Sequence, residues 1–149
     1  MDERSMIEEH AGDRAGLICA SYHRLTGASL FGEAHDLWIA PVAVVAHDTR
    51  PNPCFFYANR LALDLFRMSA AQFIGMESRY SAGETDRAER AAMLAVLEAR
   101  DVVRGYRGVR VAGDGTRFVI ENAVIWNLRD ETGKRRGQAA AFAEWHLLG

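Results

Sequence analysis

The first segment of the chain has apolar residues at helical spacing. Over residues 5–25 the apolar stripe is clearest in the second half, where it comprises Leu17, Ile18, Tyr22 and Leu25. Gly12 and Gly16 weaken the first half, so we expect the ordered helix to start near Asp13. A looser connector follows. The pattern therefore predicts an N-terminal helix and connector over residues 1–36, ahead of a main domain over residues 37–149.

The pattern then changes to short, nearly continuous apolar runs. Residues 38–48 form such a run, which is typical of a strand covered on both faces. Pro51 and Pro53 mark a turn, and residues 54–58 form a second apolar run. We predict two strands joined as a hairpin.

Two helix-start signals follow the second strand. Asn59 can cap a helix that begins at Arg60. Ser69 and Gln72 have the spacing of a capping box, and Gly75 ends this second helix. Short helices that reverse direction quickly are expected where a chain wraps one side of a pocket.

The second half of the main domain is predicted to be one helix followed by three strands. Residues 86–100 form the helix, with Asp86 and Glu89 at capping-box spacing. Hairpin signals at residues 114–115 and 131–133 separate three apolar runs, which are residues 102–112, 116–128 and 138–148.

This order predicts an α+β fold. Strands and helices are segregated, so we expect a five-stranded antiparallel sheet with helices inserted between strands two and three, plus the N-terminal helix.

Composition excludes several partners and compartments. The net charge of −2 is scattered along the chain, so neither nucleic acid nor a membrane surface is an expected partner. Cys19 and Cys54 lack metal-ligand or CxxC spacing, so we expect reduced thiols and no metal site. The N-terminus is polar and acidic, unlike a signal peptide, and no apolar run is long enough to span a membrane. We expect a cytoplasmic protein.

Several sequence segments resemble a known family. FFYANRLALDLF (55–66), YRGVRVAGDGTRF (106–118) and VIWNLRDETG (124–133) are similar to the MEKHLA domain, a PAS-like family. That family occurs as small stand-alone bacterial proteins, the form expected here, and as a C-terminal domain of plant class III homeodomain–leucine zipper proteins. The resemblance implies a PAS-like fold, a sensory or interaction role and no assigned reaction, so we do not expect an enzyme.

The resemblance also bears on cofactors. PAS domains of the light-oxygen-voltage (LOV) type use a cysteine in the helical region, and residues 60–100 contain none. Haem-binding PAS domains usually offer a histidine from the long helix, and residues 86–100 contain none. His47, at a strand end, is better interpreted as a structural residue than as a ligand to a metal. We therefore expect no cofactor and a colourless protein.

Two polar residues interrupt the predicted fourth strand. With a period of two, Glu121 and Asn122 point to opposite faces, and Phe118, Ile120 and Trp126 share a face with Asn122. Both faces are otherwise apolar, so one of the two polar residues is expected to face a pocket. A structural hydrogen bond and ligand recognition both explain such a residue.

Other candidate ligand-binding residues come from strands and loops. Tyr57, Tyr106 and Trp126 line a cavity or fill the core. Gln138 begins the last strand, where flavin-type PAS sensors often place a glutamine near the ligand; this is analogy with the fold. Arg79 is the candidate for an anionic ligand, with a surface arginine as the alternative.

We therefore predict a non-catalytic PAS-like domain that senses or binds an unknown small molecule between sheet and helices. It would signal through a partner or a change in assembly. The alternative is an interaction or dimerisation module with a filled core and no ligand. Because one helix is too small to cover a whole sheet face, we also predict a homodimer through the N-terminal helix and the outer sheet face, including Leu17 and Ile18.

Overall fold

The computed structural model describes residues 2–30, 36–82 and 87–148, with only the backbone described for Arg87 and Arg90. The helices are α1 (Glu3–Ala11), α2 (Arg14–Thr26), α3 (Arg60–Phe66), α4 (Ala70–Phe73) and α5 (Arg87–Arg100). The strands are β1 (Ala43–His47), β2 (Phe55–Ala58), β3 (Val102–Val111), β4 (Arg117–Arg129), β5 (Arg135–Phe142) and β6 (Glu144–Leu147). Short 3-10 turns occupy Leu37–Ile39 and Ser78–Ser81.

The strands form one antiparallel sheet in the order β2-β1-β5-β4-β3, and β6 pairs with β4. Helices α3, α4 and α5 lie between the second and third strands in the chain, so the predicted α+β architecture is confirmed. We call the sheet face toward this helical insert the inner face and the opposite one the outer face. Val45, Ala140 and Ile125 form one row across the inner face.

Two helices, rather than the single predicted one, cover the outer face. Gly12 has a φ of 58° and separates α1 from α2. Ile7 of α1 and Ile18 of α2 are fully buried. The indole N–H of Trp126 donates to the Ile18 carbonyl oxygen at 3.2 Å. The chain itself therefore covers much of this face, which removes the geometric reason given above for a dimer; the homodimer stays a prediction.

The first strand is shorter than predicted. Asp36 Oδ1 accepts a hydrogen bond from the Trp38 backbone N–H at 3.1 Å, which starts a 3-10 turn. Pro41 follows and has no N–H to donate to a sheet. Pairing therefore begins only at Ala43, and from there to His47 every residue is buried.

The last predicted strand is divided at Ala143. On either side of the division the register on β4 is the same, with Val124 opposite Ala141 and Glu121 opposite Glu144. The break faces Asn122, which has a φ of 52°. The single strand predicted for residues 138–148 is thus β5 and β6, which continue along one neighbour.

The positive φ at Asn122 also reverses the face assignment of β4. Phe118, before Asn122, packs edge-on against Phe66 of the insert with ring centroids 5.3 Å apart. Trp126, after it, packs against Tyr22 of α2 at 5.0 Å. The prediction that Phe118 and Trp126 share a face is therefore wrong, because an irregularity in the strand breaks strict alternation. Gly105, with a φ of 66°, lies at the matching irregularity in β3.

The predicted helix caps at Asn59 and Ser69 are confirmed. Asn59 Oδ1 accepts from the Ala62 N–H at 3.2 Å, and Ser69 forms a capping box with Gln72. The buried Asn59 side chain also joins α3 to β1, since Oδ1 accepts from the Val44 N–H at 3.0 Å. The predicted cap at Asp86 lies outside the described residues.

Candidate functional site

A cavity lies between the inner sheet face and the helical insert. Its volume is about 40 Å³, which is room for roughly three water molecules. The sheet and the insert supply a mostly apolar wall, which comprises Val45, Phe55, Phe66, Met93, Leu94, Ile120, Ile125, Ala139, Ala140 and Phe142. This wall excludes water from most of the chamber and concentrates any specificity in a few polar groups.

Four polar side chains complete the wall: His47, Ser81, Arg110 and Gln138. Gln138 lies on β5, directly opposite His47 on β1 and Asn127 on β4. It is only 2% exposed, and its Oε1 has no hydrogen-bond partner among the described residues. A buried acceptor left unpaired costs about 1–3 kcal/mol, so this oxygen has a strong demand for a donor.

His47 is oriented by its own loop. Its Nδ1 lies 3.0 Å from the Asp48 carbonyl oxygen. A carbonyl oxygen only accepts, so Nδ1 carries the proton in this contact. The ring packs edge-on against Phe55 with centroids 6.4 Å apart. The imidazole therefore contributes a fixed surface to the chamber.

Arg110, on β3, is the cation of the chamber. It is 8% exposed. One terminal nitrogen donates to the Val109 carbonyl oxygen at 2.7 Å, and the other donates to the Tyr106 hydroxyl at 3.3 Å. The Tyr106 ring lies over Gly108, where a Cβ atom would come within 2.5 Å of the tyrosine oxygen. Gly108 thus allows Tyr106 to lie flat and orient the guanidinium.

Helix α5 closes the chamber with few buried side chains. Met93 and Leu94 are half-buried in the wall, and Leu97 is the fully buried residue among the described side chains of this helix. Its C-terminal end is tied to the sheet by Asn127, whose Nδ2 donates to the Leu97 carbonyl oxygen at 3.1 Å and to Asp101 Oδ1 at 2.9 Å. With so few buried side chains, this helix is expected to open at a lower free energy than the core.

The chamber continues into an open groove beside α5. The groove has a volume of about 460 Å³. It shares the lining residues His47, Leu94 and Gln138 with the chamber. Arg50 and Arg135 also border it, as does Glu98. Gln138 and His47 therefore stand where an entering molecule would pass from the groove to the chamber.

Two predicted site residues lie near this cavity. Gln138 is in the wall, and Tyr106 contacts the wall residue Arg110. Arg110 itself was missed, because the alternating arginines and glycines of β3 are typical of a solvated edge strand. Its position opposite the buried Phe118 is the signal that could have identified it.

Tyr57 and Trp126 lie on the outer face, so neither residue lines this chamber; both are buried, as the alternative of a core role expects. Trp126 is buried under α2. Tyr57 lies beside Glu8 and Cys19 of the N-terminal helices, and its burial raises the pKa of its hydroxyl. An extra residue in β2, Phe56, displaces Tyr57 from the alternation expected of a regular strand.

Arg79 and Asn122 lie at the surface. Arg79 forms an ion pair with Glu77 at 3.2 Å and lies over the Tyr80 ring. The exposed Asn122 donates to Glu144 Oε2 at 2.9 Å. Its neighbour Glu121 pairs with Arg107 at 2.9 Å. The expectation that Glu121 or Asn122 faces the pocket is therefore wrong, because the strand irregularity turns both toward charged surface partners.

Within residues 2–30, 36–82 and 87–148, no cluster of side chains could hold a metal ion, and no helix is long and apolar enough to cross a membrane. The two cysteines lie outside the chamber wall, one on α2 and one just before β2. Burial raises the pKa of the Cys19 thiol. The chamber wall as described therefore offers no thiol nucleophile.

Solved structures define the class of this fold. The photo-excited blue-light photoreceptor Vivid, which is fungal, has 20% identity and a TM-score of 0.64, with 89% of this chain and 95% of that chain covered. A PAS domain from Colwellia psychrerythraea has 16% identity and a TM-score of 0.60, with 72% and 86% covered. An RNA-binding light-oxygen-voltage receptor has 25% identity and a TM-score of 0.60 over 70% of this chain; this chain covers 30% of that receptor's length. The fold is that of PAS and LOV domains.

A match to a family model places the chain in a narrower group than the fold class does. The MEKHLA domain model matches residues 13–147, which include α2 and all six strands, and the chain belongs to the MEKHLA domain family. A comparison with curated proteins found no match. The family match starts within the predicted N-terminal segment, and the proposed division at residues 36 and 37 stays a prediction.

Proposed function

We propose that this chain is a non-catalytic sensory domain that binds a small molecule between the inner sheet face and α5. The observation that carries the proposal is the Gln138 amide oxygen, which is buried in the cavity wall without a hydrogen-bond partner among the described residues. A ligand N–H or O–H group would satisfy this oxygen. The PAS-like fold, whose members commonly bind small molecules and signal, supports the same interpretation.

The size of the chamber limits the ligand. Ligand sites usually have volumes of about 300–1,000 Å³, whereas the volume of this chamber is about 40 Å³. A bound molecule is therefore compact, or it extends from the chamber into the groove, or α5 moves outward. The half-buried Met93 and Leu94 are the side chains that such a movement would displace.

A hydrogen-bonded path joins α5 to the N-terminal helices. Asp101, directly after α5, accepts through Oδ1 from Arg129 Nε and Nη2 at 3.1 and 2.9 Å. The Arg129 backbone N–H donates to the Ser21 hydroxyl on α2 at 3.2 Å. Displacement of α5 by a ligand would therefore alter contacts of α2. We propose this helix pair as the surface through which a partner or a second copy senses the ligand.

The second candidate is an interaction or dimerisation module without a ligand. The small chamber favours it, as do exposed apolar side chains on α5 and at the C-terminal end: Val96 is 48% exposed and Leu147 is 57% exposed. This candidate predicts that filling the chamber leaves binding of the partner unchanged.

Native mass spectrometry of the purified protein tests the proposal with a cavity-filling variant. Ala140→Leu places a larger side chain in the chamber, and Ala92→Leu makes the same change on the exposed side of α5. We expect wild type and Ala92→Leu to carry a bound small molecule that Ala140→Leu lacks. Equal ligand content in all three proteins, or none in any after incubation with a metabolite extract, would contradict the proposal.

A further inference from the structure

Arg110 is a buried cation without an acid partner among the described residues. It is 8% exposed, and its protein contacts are the Val109 carbonyl oxygen and the Tyr106 hydroxyl and ring. Both partners are uncharged. A buried charge is costly unless an opposite charge and further hydrogen bonds compensate it, so the chamber contains an unmet demand for an anion.

Two carboxylates of the β3–β4 hairpin are already engaged. Asp114, in the turn after β3, pairs with Arg67 at 2.7 Å. Glu121, on β4, pairs with Arg107 at 2.9 Å. Each of these acids therefore neutralises an arginine other than Arg110.

The guanidinium is also held ready for a planar acceptor. An arginine side chain has five N–H donors, and the two hydrogen bonds leave three of them unused by described residues. The Tyr106 hydroxyl and the Val109 carbonyl oxygen hold one nitrogen each, which limits rotation of the group. A fixed guanidinium fork fits a carboxylate bidentately.

We infer that the ligand of this chamber is a small organic acid, with its carboxylate on Arg110 and an apolar body against the inner sheet face. This inference rests on the proposed function. The mostly apolar wall favours a monoanion with an apolar body over inorganic phosphate, which would need several cations or backbone donors.

Calorimetric titration with matched acids and amides tests the inference. The probes are benzoate with benzamide, hexanoate with hexanamide, and inorganic phosphate. Hydrogen bonds to charged groups are worth about 1.5–3 kcal/mol, which corresponds to roughly a 10- to 150-fold preference for each acid over its amide. We expect Arg110→Met to lose this preference and Arg107→Met, an exposed arginine of the same strand, to keep it.

A purely structural role for Arg110 predicts a different result. If Arg110 is a ligand-binding residue, Arg110→Met replaces a buried unpaired charge by an apolar side chain of similar length, so the melting temperature of the ligand-free protein should stay unchanged or rise. If Arg110 is structural, Arg110→Met loses its hydrogen bonds to Val109 and Tyr106, and the melting temperature should fall. If Arg110→Met does not fold, Tyr106→Phe removes the orienting hydroxyl and is expected to weaken acid binding at least severalfold while amide binding stays the same.

The outcomes separate the inference from the proposed function. Equal binding of acids and amides, an acid preference retained in Arg110→Met, an acid preference that is undiminished in Tyr106→Phe, or tighter binding of phosphate than of either acid would overturn the inference and leave a small-molecule site. No binding of any probe at millimolar concentration, together with no bound molecule in native mass spectra, would overturn both.

Discussion

Replacing Asn127 should loosen α5 without unfolding the sheet. The side chain is fully buried, and its Nδ2 donates to the Leu97 carbonyl oxygen and to Asp101 Oδ1. Its Oδ1 accepts from Arg135 Nε at 3.0 Å. Asn127 therefore joins the closing helix, the residue after it and the border of the groove.

The effect on α5 follows from two of these bonds. The bond to the carbonyl oxygen is worth about 1 kcal/mol and the bond to the carboxylate about 1.5–3 kcal/mol. Asn127→Asp keeps an acceptor for Arg135 but loses both donated bonds, and it places a second carboxylate beside Asp101. We expect the opening free energy of α5 to fall by about 2–4 kcal/mol, which accelerates amide exchange there on the order of a hundredfold.

Hydrogen exchange measured by mass spectrometry reports the amide exchange rate of α5 directly. The control is Ile18→Val, a change under the outer face that costs about 0.5–1.5 kcal/mol and does not touch α5. In Asn127→Asp, peptides from α5 should exchange faster while peptides from β1 and β5 stay protected. Uniform acceleration in all peptides, or α5 exchange no faster than in Ile18→Val, would refute the idea of a helix that opens separately.

Four further substitutions test the fold and assembly. Asn59→Ala should lower the free energy of unfolding by about 3–5 kcal/mol, because it leaves buried backbone groups without hydrogen-bond partners. Ser69→Ala should lower it by about 1 kcal/mol, and similar urea midpoints for the two variants would contradict this difference. Hydrogen bonds from Arg129 hold the pKa of Asp101 below its usual range, so its stabilisation is present above pH ~4 and lost as pH falls through the lower folded value. Asp101→Asn should therefore flatten the acid side of the stability curve, and an unchanged curve would disprove it. The predicted homodimer should release monomers in Leu17→Glu, a half-buried site unlike Ile18; light scattering that finds monomeric wild type would exclude it.

Local signals in the sequence predicted the elements that depend on local chemistry. Asn59 and Ser69 mark helix starts because their side chains satisfy backbone groups within three residues, and such spacing is visible in the sequence. The element order and the segregation of helices from strands gave the α+β class in the same way.

Backbone irregularities in the strands explain why the predicted sheet faces of some residues were wrong. Asn122 adopts a positive φ, which few residues other than glycine do, and every residue of β4 after it changes sides relative to strict alternation. Phe56 has a similar effect in β2. Trp126 and Tyr57, which are expected from the sequence to line a cavity or to fill the core, both pack under the N-terminal helices.

The candidate site was predictable only in part. Gln138 was found through its position on the last strand, whereas Arg110 was overlooked since a charged residue on an edge strand is usually solvated. Its burial depends on Tyr106, Gly108 and the insert acting together. Such long-range packing has no short sequence signature.

A high-resolution crystal structure of the protein as purified from cells tests the central claim most directly. The account predicts a compact acid in the chamber between the sheet and α5, with its carboxylate oxygens within hydrogen-bonding distance of Arg110. A donor group of that molecule, or a water bound to it, should reach Gln138 Oε1. A chamber filled by side chains, or Arg110 paired with a carboxylate of the chain itself, would contradict the account.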